Sequence, residues 1–272
     1  MSTVKPALKK NARSALKRDF DENNFSERQQ TVMRVFGHIL SRTFQSDSDR
    51  ANIANRNITY TLYRHLLEGA SDLPIPQADM NPTLKQQMRV LSGFINLCSM
   101  KTTIRTCEYY FKCYPFSGLP ISRADHLRNI CEMFFDRIVQ FRDRLKATLN
   151  AIKNCSTSVE IPVGKLIKAF DRTFDSVIRL RNQVHHNERY NDHLIEQLSL
   201  IDLFSHVDTS ELPLPDEKIL FRRAAKTWSK HVQNYSASIA VWCDTVAGLI
   251  LDHCSFAKEA LSTINAKTEQ AA

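Results

Sequence analysis

A chain of 272 residues, 43% of them hydrophobic, carries enough apolar material for one large domain or two small ones. Only 6 glycines and 9 prolines are present, too few for the tight turns of an all-β fold, and apolar residues recur mostly every three or four positions. An all-α protein, an antiparallel helical bundle, is the expectation. The net charge of +8 favours an anionic partner, but Lys5, Lys9, Lys10, Arg13, Lys17 and Arg18 supply most of it from an N-terminal stretch without an acid.

Residues 1–25 therefore read as a basic, mobile tail, able to touch phosphates non-specifically or simply to aid solubility, and 26–272 as one helical domain. Ser26 is placed to cap a helix over Glu27–Phe44, with Val32, Val35, Phe36, Ile39 and Leu40 on one side. A polar loop, 45–50, and a second helix from about Ile53 to Glu68 follow, ending at Gly69. The prolines of 73–82 break the chain. From Pro82 a long helix is predicted to Cys113, with Leu84, Met88, Leu91, Ile95 and Cys98 along it. Tyr109, Tyr110, Phe111, Tyr114 and Phe116 gather at its end. Stacking on bases and buried packing are both open to them, with packing favoured by the helix end and the Pro/Gly break that follows.

Ser122, with Asp125 three residues on, caps the most regular helix of the chain. Leu127, Ile130, Cys131, Phe134, Ile138, Phe141, Leu145, Leu149 and Ile152 make an apolar stripe about seven turns long, and Glu132 lies one position beyond it. After a loop over 154–162, a helix from Val163 carries Leu166, Phe170, Phe174 and Val177 and runs directly into Arg179-Leu-Arg-Asn-Gln-Val-His-His186. A shorter helix spans 191–206. A proline break at 212–215 precedes a final long helix from Asp216 to about Cys254, with Ile219, Leu220, Ala224, Trp228, Val232, Tyr235, Ile239 and Trp242 facing one way, and the remainder to Ala272 frays.

Seven cysteines without a C-x-x-C pair argue against a disulfide framework or a zinc site and for a reducing compartment. A polar N-terminus predicts no secretory leader, and the most apolar run, 238–251, is too short to span a bilayer and contains Asp244. A soluble, cytoplasmic protein is expected.

The polar cluster after the Val163 helix is the one candidate centre. Continuing the stripe Leu166, Phe170, Phe174, Val177 brings Arg181 onto the apolar side, before Val184. A guanidinium in such a slot is paired, reached by solvent at a cleft, or faces an anion; alternatively the helix ends near Ile178 and Arg181 snorkels outward. Periodicity leaves both open. Arg181 and His185 share a face, as do Arg179, Asn182 and His186, whereas adjacent His185 and His186 diverge by about 100° and cannot easily share a metal.

Arg181-Asn182-x3-His186 resembles the R-x4-6-H signature of the HEPN superfamily, including the polar residue after the arginine, and Asp125 to Ile138 resembles the long central helix of single-domain bacterial members. The likeness covers about residues 82–206. It implies a metal-independent endoribonuclease of a defence or toxin–antitoxin system, without cofactor, acting on RNA at a composite site across a homodimer, under the control of an antitoxin or regulatory protein. His186 would move the proton, Arg181 would meet the phosphate charge and Asn182 would orient it, with His185 and Arg179 as auxiliaries. Lys168, Arg172 and Arg189 are the cations set aside for substrate binding. The branch of the family with H-x-Y would carry tyrosine at 188, where this chain has Glu188, with Tyr190 two residues later. Some family members bind RNA, nucleotides or proteins without cutting, and a helical protein-interaction domain is the reading outside the family.

Overall fold

A computed structural model describes residues 25–45, 82–156, 160–186, 189–204 and 215–271, the side chains of 40–45, 270 and 271 excepted. The basic tail, the expected helix over 53–68 and the proline breaks at 73–81 and 212–214 lie outside them. The protein is all-α: eight helices and no strand among the described residues. They are α1 (Glu27–Gln45), α2 (Pro82–Lys112), α3 (Arg123–Cys155), α4 (Val163–Thr173), α5 (Asp175–His186), α6 (His193–Phe204), α7 (Glu217–His253) and α8 (Ser255–Ala271). Two compact units result, one holding α1 and the residues of α8 from Ala257 onward, the other spanning 77–256.

In the first unit, α1 begins as its capping chemistry requires, Ser26 Oγ accepting from Gln29 N at 3.3 Å. Val32, Val35 and Ile39 are buried as the periodicity predicts, with Phe36 half-buried beside them. The C-terminal residues do not fray. α8 forms with Ala257 and Ala260 buried, a face too poor in large apolar residues to stand out in the sequence.

The larger unit is a helical bundle whose centre is α2, α3 and α7. Ser122 Oγ accepts from Asp125 N at 3.0 Å, and all nine predicted stripe residues of α3 are buried. α2 packs along both α3 and α7. Its core is therefore broader than the predicted line, adding Val90, Phe94, Leu97, Met100, Ile104, Cys107 and Phe111, while Leu84, Met88 and Ile95 are half-buried. Phe111 stacks on Trp228, centroids 5.7 Å apart, and Glu108 accepts from Gln233 Nε2, so α2 runs antiparallel to α7. Arg123 pairs with Glu217, and Phe134 meets Tyr235, so α3 and α7 point the same way. The buried His126 closes the turn between α2 and α3, its Nε2 within 2.7 Å of the Cys113 carbonyl and 3.2 Å of that of Tyr110 at the helix end. The aromatic cluster divides accordingly: Phe111 is buried, Tyr114 and Phe116 flank His126, and Tyr110 is exposed.

α2 and α3 approach closest at Gly93. A Cβ there would sit 2.7 Å from Thr148 Oγ1, which itself donates to the Arg144 carbonyl at 2.8 Å. Gly93→Ala gains about 1 kcal/mol of helix propensity but forces overpacking worth about 1–3 kcal/mol. A net loss of stability is expected in urea titration, and adding Thr148→Ala, which removes the two nearest atoms, restores most of it.

Two differences from the sequence reading concern these helices. Ile219 is 61% exposed rather than part of the α7 stripe, because the buried face starts one residue on, at Leu220 and Phe221. The helix from Val163 is interrupted at Phe174 (φ −114°, ψ 17°), which turns the chain while its ring stays buried against Phe170, centroids 4.4 Å apart. α7 ends at Cys254, where a single bridge pairs it with Ser156. All seven cysteines are free thiols. Burial pushes Cys107 up to about 11 and Cys254 up to about 12, which keeps both protonated near neutral pH. No helix among the described residues is long and apolar enough to cross a membrane.

Candidate functional site

α5 starts directly after the Phe174 turn. Asp175 in its first turn takes Arg179 in a two-pronged pair, Nε to Oδ1 at 3.0 Å and Nη2 to Oδ2 at 2.9 Å. His185 and His186 end the helix, and they meet edge to face with centroids 5.1 Å apart. Both are exposed, as is Asn182.

Arg181 is the half-buried member of the motif, 27% exposed, beside half-buried Leu180 and Val184. Its Nε donates to Asp136 Oδ1 at 3.2 Å. The helix persists past Ile178, so the guanidinium neither snorkels off a frayed end nor enters the core. It is paired with a carboxylate of α3.

That carboxylate belongs to a second periodicity on α3. Asp125, Asn129, Glu132 and Asp136 are spaced four, three and four apart and line one flank of the helix beside the apolar stripe. The segment after α5 runs back along them. Arg189 pairs with Asp125 at 3.3 Å and Glu132 at 3.6 Å and donates to Asn129. Tyr190 N donates to Glu132 Oε1 at 3.0 Å. Arg128, from the same helix, donates to the Tyr190 carbonyl at 2.9 Å, Asp125 at 2.6 Å and Ser199 of α6 at 3.2 Å.

The segment ends on Asp192. One oxygen, Oδ1, caps α6 by accepting from Leu194 N and Ile195 N, both at 2.9 Å. The other accepts from Trp228 Nε1 at 2.9 Å and the Tyr190 hydroxyl at 3.3 Å. Burial, then the adjacent Asp192, push the Tyr190 phenol well above its ordinary value and keep it neutral.

The candidate residues thus separate into three groups. Arg181, Asn182 and His186 share the last turns of α5, with His185 next to them and Arg179 tied to Asp175. Lys168 and Arg172 are exposed on α4, on the other side of the Phe174 turn. Arg189 is engaged by three α3 side chains, which gives it a part in docking the chain segment it belongs to. The sequence reading missed Asp136 and the Asp192–Trp228 pair. The first was legible as the 4-3-4 polar spacing on α3; nothing local joins two residues 36 positions apart.

Among the described residues, no three His, Cys, Asp or Glu side chains come together as a metal-binding group. No protein-family model, curated protein or solved structure matches the chain.

Proposed function

We propose that the chain is a HEPN-type endoribonuclease of a bacterial defence or toxin–antitoxin system, cleaving RNA without a metal at a site completed by a second copy of the chain. The observation that carries this reading is a guanidinium, Arg181, held at the surface of α5 by one carboxylate, with Asn182 and His186 exposed in the following turn. An exposed imidazole is suited to proton transfer. His186 takes the proton of a ribose 2′-hydroxyl as that oxygen attacks the neighbouring phosphorus. The O2′–P bond forms, the P–O5′ bond breaks, and the departing 5′-oxygen takes up a proton, leaving a 2′,3′-cyclic phosphate and a 5′-hydroxyl. Arg181 meets the added charge on the phosphoryl oxygens, and Asn182 orients the phosphate.

Asp136 does not stand in the way of this. An exposed ion pair of this kind contributes about 0–1 kcal/mol, which a dianionic transition state can outcompete. Cleavage of single-stranded RNA in EDTA, with end-group analysis of the products, tests the reaction; wild type and Arg181→Ala cutting equally would remove it.

A second reading draws on the same ion pair. Arg181 on Asp136 and Arg189 on the α3 carboxylates are already satisfied, which suits a binding or regulatory module whose motif helps to dock α5. RNA retention without new ends, unaffected by His186→Ala, distinguishes it.

A further inference from the structure

Arg222, Lys226 and Lys230 recur every four residues on α7 and so share one face over about 12 Å of helix. All three are exposed, and none has an ion-pair or hydrogen-bond partner among the described residues. They border an open groove of about 480 Å³ where the C-terminal end of α2 meets the first half of α7. Phe221 and Ala225 give it apolar wall, Lys112 and Gln233 close it, and no carboxylate lines it. Glu108, one turn before Lys112 on α2, pairs with that lysine and accepts from Gln233 Nε2 at 2.8 Å.

Ser229 also lines the groove. It is 4% exposed, and its Oγ has no partner among the described residues. Hydroxyls inside helices ordinarily turn back to the carbonyl four residues earlier, as Thr227 and Thr245 of the same helix do at 3.1 and 2.9 Å. An unsatisfied buried hydroxyl is destabilising unless something else completes it. Ser236 Oγ is unpaired too, but it does not line the groove.

We propose that this groove binds the phosphate chain of a nucleotide-class ligand, either a nucleoside triphosphate or a short single-stranded oligonucleotide. Cations repeated along about 12 Å of helix match a run of phosphates better than a single one. Arg222, Lys226 and Lys230 neutralise it, Ser229 Oγ donates one hydrogen bond, and the Phe221–Ala225 wall accommodates the apolar part of the ligand. The cavity size suits a small ligand or a few nucleotides. The groove is built from α2 and α7, whereas Arg181 and His186 lie on α5, so this inference does not depend on RNA cleavage.

The test is titration calorimetry of the full chain with ATP, with inorganic phosphate and with an eight-nucleotide single-stranded RNA, at low and moderate salt. ATP or the RNA should bind more tightly than inorganic phosphate, and the arm that binds identifies the source of the phosphates. Binding should fall as salt rises. Lys226→Glu with Lys230→Glu, both exposed, should weaken it at least tenfold. Ser229→Ala should weaken it several-fold while leaving the melting temperature of the free protein unchanged or higher. Binding indifferent to the charge reversals would overturn the proposal and move the site to the basic N-terminal residues. Absence of binding to all three probes, or capture only by anionic phospholipid vesicles, would also overturn it, as would Ser229→Ala lowering the melting temperature with no change in affinity.

Discussion

Asp192→Ala is expected to destabilise the larger unit by roughly 3–5 kcal/mol, the largest single-site loss outside the apolar core. The carboxylate does three jobs: it caps α6, holds the Trp228 indole and receives the Tyr190 hydroxyl. Loss of an N-cap alone costs about 0.5–2 kcal/mol. Trp228 and Tyr190 are buried, so each polar atom left without a partner adds about 1–3 kcal/mol. Asn at 192 still caps and still offers an oxygen, so Asp192→Asn should lose less than half as much. Urea denaturation measures both; equal losses would mean that the charge itself, rather than the acceptor geometry, holds α6 and α7 together.

His186→Ala is expected to lower RNA cleavage by about 10²–10⁴-fold, the usual worth of a positioned proton-transfer group, and Arg181→Ala by about 10²–10³-fold, as for loss of a transition-state charge partner. The His186 side chain is exposed, so its removal should change stability by no more than about 0.5 kcal/mol, and a folded but inactive protein is the expected result. His185→Ala, on a different face of the helix, should have the milder effect. Asp136→Asn separates a held cation from a competed one. If the carboxylate merely occupies Arg181 until phosphate arrives, cleavage at low RNA concentration should rise up to about fivefold, the factor equivalent to an exposed ion pair. A fall of tenfold or more would make Asp136 a positioning residue for the guanidinium.

How much of this was legible beforehand follows from which signals are local. The α3 stripe, the Ser122 cap and the limits of α7 are written in neighbouring residues, and Asp216 does cap α7, accepting from Lys218 N at 2.7 Å. α2 was legible in extent but not in its buried face, because a helix packed on two sides loses the one-sided periodicity that a sequence displays. The kink at Phe174 went unseen because Phe170, Phe174 and Val177 remain buried on either side of it. α8 was missed because alanines supply most of its buried face. At the candidate site the motif could be found as a string of residues, but its electrostatic partner could not. Arg181 and Asp136 are 45 positions apart, and the pair depends on the registry of α5 against α3.

The protein's two tryptophans, Trp228 and Trp242, both lie on α7, and each touches a different neighbour. Trp228 is stacked on Phe111 and hydrogen-bonded through Asp192 to the start of α6, while Trp242 lies 5.6 Å from Phe170 of α4. The intrinsic fluorescence of the chain is therefore a two-channel signal, one channel for the attachment of α6 and one for that of α4. With Trp228→Phe or Trp242→Phe silencing one channel at a time, the detachment of the helices on either side of the Arg181 motif becomes separately observable without any added label.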